Sequence, residues 1–157
     1  MSAWCEFKIE RMLGWKPEPV LADDLLGTVL DLQSMSPWHG LQIYPDAEPA
    51  PDGHWQFPRL SIGWHKEGQG YLVQCFETVR SDSCLLATAG FLSEPKIYIE
   101  FNGQGQQEWP KELFVSYRSV VKAIEYFLAN GLQDPSLDWI GLGNFHRRRV
   151  APRATCR

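Results

Sequence analysis

A stretch in the middle of the chain constrains the fold most, because it has the pattern of a β-hairpin. Apolar side chains alternate at Leu60, Ile62 and Trp64, which is the period of a half-buried strand. Turn-forming residues follow at 67–70, and the next run, 71–78, is again apolar and aromatic. Two such runs joined by a glycine-containing turn predict a pair of antiparallel strands. At least part of the core is therefore expected to rest on an antiparallel sheet.

Two helices and further strands are predicted around this hairpin. Residues 21–35 have apolar side chains at the spacing of an amphipathic helix, at Leu21, Leu25, Leu26, Val29, Leu30 and Leu32. A second helix is expected after Ser116 or Ser119, either of which can cap it, and Gly131 is expected to end it. Other strands are predicted at 3–9, 41–44, 96–101, 106–109 and 137–142, while 85–91 fits a strand or irregular structure. This order predicts an α+β fold, with a largely antiparallel sheet of about five to six strands packed with two helices.

Charge divides the chain into an acidic body and a basic end. Residues 146–157 contain five of the 15 basic residues and no acidic residue. Residues 1–145 therefore carry ten basic and 19 acidic residues, a net charge of −9. We interpret 1–145 as one domain and 146–157 as a basic, flexible tail. An acidic body lacks the lysines and arginines that bind phosphates and suits a basic protein partner, although acidity also serves solubility.

The residue types that perform catalysis or bind cofactors form no recognised pattern in this sequence. No two histidines have the spacing of a helical metal site, and His39 and His54 share only a proline-rich stretch. The four cysteines contain no C-x-x-C pair, and neither Ser83 nor Cys84 has an evident base. We therefore expect no enzymatic activity, no cofactor and no bound metal. The sequence also shows no secretion signal or membrane-spanning run, which predicts a cytoplasmic protein without membrane contacts. The acidic body predicts no direct contact with nucleic acid.

Two segments are candidates for contact with a partner protein. Residues 36–58 contain five prolines, which forbid a helix there, and combine large aromatic side chains with carboxylates. Because interfaces concentrate their binding energy in aromatic residues ringed by polar groups, we predict that six residues make contacts: Trp38, Tyr44, Asp46, Glu48, Asp52 and Trp55. Alternatively, Trp38 and Trp55 hold this loop against the core. The second candidate is the acidic side of the first helix, with Asp23, Asp24 and Asp31.

Residues 97–142 carry an ordered set of features that resembles a known family. A strand with aromatic residues is followed by a valine, a helix that ends in Phe-x-x-x-Gly, a proline and a tryptophan. These are Tyr98 and Phe101, Val115, Phe127 with Gly131, Pro135, and Trp139. The segment is similar to the C-terminal half of the immunity-one family of bacterial polymorphic-toxin immunity proteins. The proline-rich 45–58 stretch and the basic tail depart from that pattern.

The resemblance implies a protein that binds and neutralises a cognate secreted antibacterial toxin. Such toxins are delivered by contact-dependent or type VI-like secretion, and deaminase toxins are frequent among them, with nucleases as another class. The resemblance also implies that the motif residues are structural, with Trp139 packing the last strand against the second helix. A different function, as an effector-specific adaptor or chaperone of a secretion system, is kept as the alternative. The oligomeric state stays open.

Overall fold

The predicted hairpin lies in the middle of the main sheet in the computed structural model of the protein. The structure describes residues 2–8, 18–35, 39–45, 57–78, 81–87, 92–101 and 105–141. The strands are β1 (Ser2–Lys8), β2 (Glu18–Leu21), β3 (Gly40–Pro45), β4 (Arg59–His65), β5 (Gly70–Thr78), β6 (Ser81–Leu85), β7 (Ile97–Phe101), β8 (Gly105–Trp109), β9 (Phe114–Val115) and β10 (Trp139–Gly141). The helices are α1 (Ala22–Asp31) and α2 (Tyr117–Asn130), with short 3-10 helices at Leu32–Ser34 and Lys111–Leu113.

The main sheet has the strand order β10-β6-β5-β4-β3-β1-β2, and β9 also pairs with β5. Strands β7 and β8 form a separate two-stranded sheet. Within the described residues, the strand pairings are antiparallel. Six strands of four residues or more form the body of the main sheet, and the short β9 and β10 complete it. The predicted α+β fold, with two helices and a largely antiparallel sheet, is confirmed.

Successive side chains along the strands point to opposite faces of the main sheet and so pack in two separate clusters. Leu60 and Ile62 of β4 and Val73 of β5 face a core that contains the buried residues of both helices. Leu72 of β5 points the other way, because successive side chains of a strand lie on opposite faces. It packs in a second cluster with Trp109 of β8 and other residues of the small sheet. The main sheet is therefore covered by helices on one face and, in part, by β7 and β8 on the other.

The ends of α2 follow the sequence signals. The Ser116 Oγ accepts a hydrogen bond from the Ser119 backbone N–H at 3.3 Å, which caps the first turn. Gly131 has a φ of 69°, a left-handed conformation that favours glycine. Its backbone N–H donates to the Phe127 carbonyl at 2.7 Å. Both of these local predictions are confirmed.

Three short elements differ from the sequence expectation. Strand β2 includes Pro19, which is tolerated because β2 is an edge strand of the main sheet. Strand β6 occupies 81–85 and so precedes most of the ambiguous 85–91 segment. Strand β9 is only two residues long, too short to produce an alternating pattern.

Helix α1 ends at Asp31 and a 3-10 turn continues it, so the regular helix is shorter than the apolar pattern suggested.

Truncation of Phe127 tests the assignment of α2 to the core. The Phe127 side chain is fully buried, at 0% exposed. We expect Phe127→Ala to lower the free energy of unfolding by about 3–5 kcal/mol, because it leaves a cavity between α2 and the sheet. Urea denaturation measures this, with Lys122→Ala on the exposed side of the same helix as the control. An unchanged unfolding free energy for Phe127→Ala would contradict the assignment.

Candidate interaction surface

The predicted contact residues fall into two groups in the structure. Trp38, Asp46, Glu48, Asp52 and Trp55 lie outside the described residues, so their role stays a prediction. Tyr44 lies in β3 and is only 3% exposed, so it presents almost no surface to a partner. Asp23, Asp24 and Asp31 are exposed on α1. The described part of the predicted site is therefore the outer side of α1.

The orientation of α1 follows from its two buried residues, one leucine and one valine. Leu25 and Val29 are 0% exposed and pack in the core beneath the helix. Leu30, which the apolar pattern places with them, is 49% exposed. An α-helix turns about 100° per residue, so Leu30 lies about 140° around the helix from Leu25. The outer side of α1 therefore combines carboxylates with an exposed leucine, and the inclusion of Leu30 in the buried face was wrong.

The helix dipole accounts for only some of the carboxylates on α1. Asp23 and Asp24 lie in the first turn, where negative charge is stabilised by the positive end of the dipole. Asp31 is the last residue of the helix, and the last turn has no basic residue. A carboxylate at that end is disfavoured by the same dipole. The stability of the isolated helix therefore does not explain Asp31.

The charged residues in and around α1 are all acidic. Residues 18–35 contain four acidic residues and no lysine, arginine or histidine. Helix α2 differs, because its exposed positions include the basic Arg118 and Lys122 as well as Glu125. The two helices cover the same face of the sheet, yet only α1 presents a purely acidic outer side. We name the outer side of α1, with Asp23, Asp24, Gly27, Leu30 and Asp31, the acidic helix surface.

Two tyrosines fix the position of α1 through its backbone carbonyls. The Tyr71 hydroxyl of β5 donates to the Val29 carbonyl at 2.9 Å and accepts from the Gln33 side-chain amide at 2.9 Å. The Tyr117 hydroxyl of α2 donates to the Leu26 carbonyl at 3.1 Å. Burial raises the pKa of Tyr71 above its usual value, although the hydrogen bond from Gln33 acts in the other direction. The Tyr71 hydroxyl therefore keeps its proton at neutral pH and remains a donor.

A second polar region lies on the sheet face opposite the helices. Gln42 of β3 is 8% exposed, and its amide nitrogen donates to the Ser61 hydroxyl of β4 at 2.8 Å. Ser61 is in turn the register partner of Gln74 in β5. The buried Oε1 of Gln42 has no hydrogen-bond partner among the described residues. Gln42, Ser61 and Gln74 are uncharged, so these three positions make this part of the sheet face polar without adding charge to it.

The nucleophilic side chains of the described residues have the environments of core groups. Burial raises the pKa of both Cys5 and Cys75 to about 12, so these thiols are protonated, the unreactive state. Cys84 is 0% exposed, and the Ser83 hydroxyl donates to the side-chain oxygen of Gln133. Among the described residues, no group of three or more histidines, cysteines or carboxylates is placed to hold a metal ion. No helix in that part of the chain is long and apolar enough to cross a membrane.

Comparisons of the chain with protein-family models and with curated proteins find no match.

Sequence reasoning missed two residues of the acidic helix surface, Gly27 and Leu30. Leu30 was counted as a core position because it fits an apolar repeat, but that repeat is wider than the face that the sheet covers. Gly27 lies inside the predicted first helix and does not belong to its apolar pattern. The missed signal was its spacing, since Asp23 precedes it by four residues and Asp31 follows it by four. Residues at this spacing are neighbours on a helix surface.

Removal of the Tyr71 hydroxyl tests how α1 is held. In Tyr71→Phe the Val29 carbonyl keeps the Leu32 backbone N–H as a donor but loses the Tyr71 hydroxyl, and the Gln33 amide loses its acceptor. We therefore expect the free energy of unfolding to fall by about 0.5–1.5 kcal/mol. Tyr126→Phe on α2 is the matched control, because the described structure shows no hydrogen bond from that hydroxyl. Chemical denaturation gives the free energies. Equal stabilities of the two variants would show that the Tyr71–Val29 contact does not hold the helix.

Proposed function

We propose that the protein is an immunity protein that binds and neutralises a cognate secreted antibacterial toxin. It acts as a stoichiometric inhibitor that occludes the active site or substrate cleft of the toxin, and a toxin of the deaminase or nuclease type is favoured. The observation that carries the proposal is the acidic helix surface. It is exposed, of one sign of charge, and held rigidly by Tyr71 and Tyr117.

The charge of this surface supports a toxin that acts on nucleic acid. Such an enzyme attracts phosphates and therefore has a basic cleft. An acidic helix placed at that cleft takes the position of the substrate's phosphates and excludes the substrate. A complementary potential also speeds the encounter between the two proteins, which an inhibitor needs when an incoming toxin must be captured before it acts.

The residues that resemble the immunity family support a division between scaffold and contact surface. Val115 and Phe127 are 1% and 0% exposed, and Trp139 packs against the same core. The Trp139 indole Nε1 also donates to the Asp134 carbonyl at 2.9 Å, within the turn that precedes β10. Residues in these positions maintain the fold and offer little to a partner. The acidic helix surface lies outside 97–142, where it can vary with the toxin while the scaffold is kept.

Neutralisation of the acidic helix surface tests its role in toxin capture. We expect the triple variant Asp23→Asn, Asp24→Asn, Asp31→Asn to bind the toxin roughly tenfold more slowly at low salt, because steering is lost. A control that removes three exposed carboxylates elsewhere consists of Glu67→Gln, Glu125→Gln and Asp138→Asn. Stopped-flow mixing measures both association rates.

The salt dependence of the association rate tests whether the slower binding of the α1 triple variant is electrostatic. The Debye length falls from about 30 Å at 0.01 M to about 8 Å at physiological ionic strength, so the wild-type association rate should fall as salt rises. The rate of the α1 triple variant should fall less steeply, while dissociation rates change little. If the control triple variant is slowed as much as the α1 variant, net charge rather than α1 steers the toxin.

Removal of the basic tail tests the direction of the charge effect. Residues 146–157 carry five arginines, which repel a basic toxin. We expect a chain that ends at residue 145 to associate with the toxin at an equal or higher rate in the same stopped-flow assay. A large loss of binding on truncation would mean that the tail, and not the acidic body, is what the toxin contacts.

Co-expression with the toxin module encoded by the adjacent gene tests the function itself. We expect the pair to co-purify as a stoichiometric complex, and cells that produce an active toxin to survive only when the immunity protein is present. A catalytically inactive toxin module serves as the control for general toxicity of expression. If the protein binds the module and supports its export, but cells still die, the adaptor or chaperone function replaces this proposal.

A further inference from the structure

Gly27 lies in the middle of the exposed side of α1. Helix positions three and four residues away are its surface neighbours, and these are Asp23, Asp24, Leu30 and Asp31. Leu25 and Val29, which flank Gly27 in sequence, point into the core. The glycine is therefore a shallow gap on the helix surface, bordered by three carboxylates and one half-exposed leucine.

Within the part of the chain that the structure describes, nothing requires a glycine at position 27. Gly27 is inside a regular α-helix, where glycine is less favourable than alanine because it loses more backbone freedom on folding. Apart from the adjacent residues and the backbone of α1 itself, no atom of the described residues lies within 4 Å of a Cβ added at Gly27, so no described side chain needs the space. The exposed Leu30 and the unfavourably placed Asp31 adjoin the same gap. Two residues that do not favour the isolated helix, Gly27 and Asp31, therefore occur together with an exposed leucine on one surface.

We infer that Gly27 is the point of closest approach between α1 and the toxin, where a lysine or arginine side chain of the toxin crosses the helix. This inference rests on the proposed function. The aliphatic part of such a side chain lies over the bare backbone of Gly27 and against Leu30. Its charged end then lies among the carboxylates of the acidic helix surface and forms charge-assisted hydrogen bonds with them.

Charge complementarity selects this occupant. Residues 18–35 carry four negative charges and no positive charge, so an acidic or neutral partner gains nothing from the carboxylates. A cation without an aliphatic stem would leave Leu30 uncovered. A basic side chain fits both the carboxylates and the leucine, and the missing Cβ at Gly27 lets it approach the helix backbone.

Substitution of Gly27 tests whether the glycine serves stability or toxin binding, because the two quantities should change in opposite directions. We expect Gly27→Ala and Gly27→Leu to raise the urea midpoint of unfolding, because both residues favour the helix more than glycine. We expect the affinity for the adjacent-gene toxin module to fall, by about tenfold or more for Gly27→Leu, as for a central interface position. Isothermal titration calorimetry gives the affinities. Ala129→Leu, which adds a leucine at an exposed position of α2, is the matched control and should bind as the wild type does.

The outcomes distinguish this inference from the proposed function. If the wild-type protein does not bind the toxin module, the proposed function fails. If the wild type binds and Gly27→Leu binds equally well, only the role of Gly27 is overturned. Sedimentation provides a further test. The inference is also overturned if the wild type is a dimer, the Gly27→Leu variant is a monomer and both bind the toxin equally well, because the surface then joins two copies of this chain. It is likewise overturned if the Gly27→Leu effect disappears in a chain that ends at residue 145, because the chain's own tail is then the occupant.

Discussion

The hydrogen bond from the Tyr71 hydroxyl to the Val29 carbonyl connects the central strand of the sheet to the helix that carries the acidic surface. Tyr71 is 1% exposed, so its hydroxyl would be costly to leave unpaired. The bond, together with the one from Gln33 and the Tyr117–Leu26 contact, fixes both the height and the rotation of α1 over the sheet. The outward direction of the carboxylates follows from that rotation, because Leu25 and Val29 must face the core.

This arrangement separates the residues that make the fold from those that meet a partner. The core is formed by alternate side chains of the sheet with the inner sides of α1 and α2. The outer side of α1 contributes nothing to that core. It carries Gly27 and Asp31, which a solitary helix does not favour, beside the exposed Leu30. In the proposed function, the stability of the sheet compensates for the weaknesses of this helix.

Much of the fold could be predicted because its signals are local. The β4–β5 hairpin has alternation and a glycine turn, and α2 has a serine cap and a glycine stop within its own sequence. Strand β2 was missed because it is short and contains Pro19, which interrupts a strand pattern. Strand β9 was missed because it is two residues long and is held by pairing with a distant strand, with Val115 opposite Tyr71 of β5. The same limit applied to α1, since the sequence showed an apolar repeat but not how much of it the sheet would cover. Only the tertiary packing revealed that Leu30 is exposed.

Amide hydrogen exchange of the protein with and without the toxin module tests the central claim most directly, because it locates the contact without altering any residue. The account predicts that toxin binding slows exchange of the amides of α1 and the adjoining β2, while α2, which shares the same face of the sheet, exchanges as in the free protein. Protection confined to α2 or to the β7–β8 hairpin, with α1 unchanged, would contradict the account.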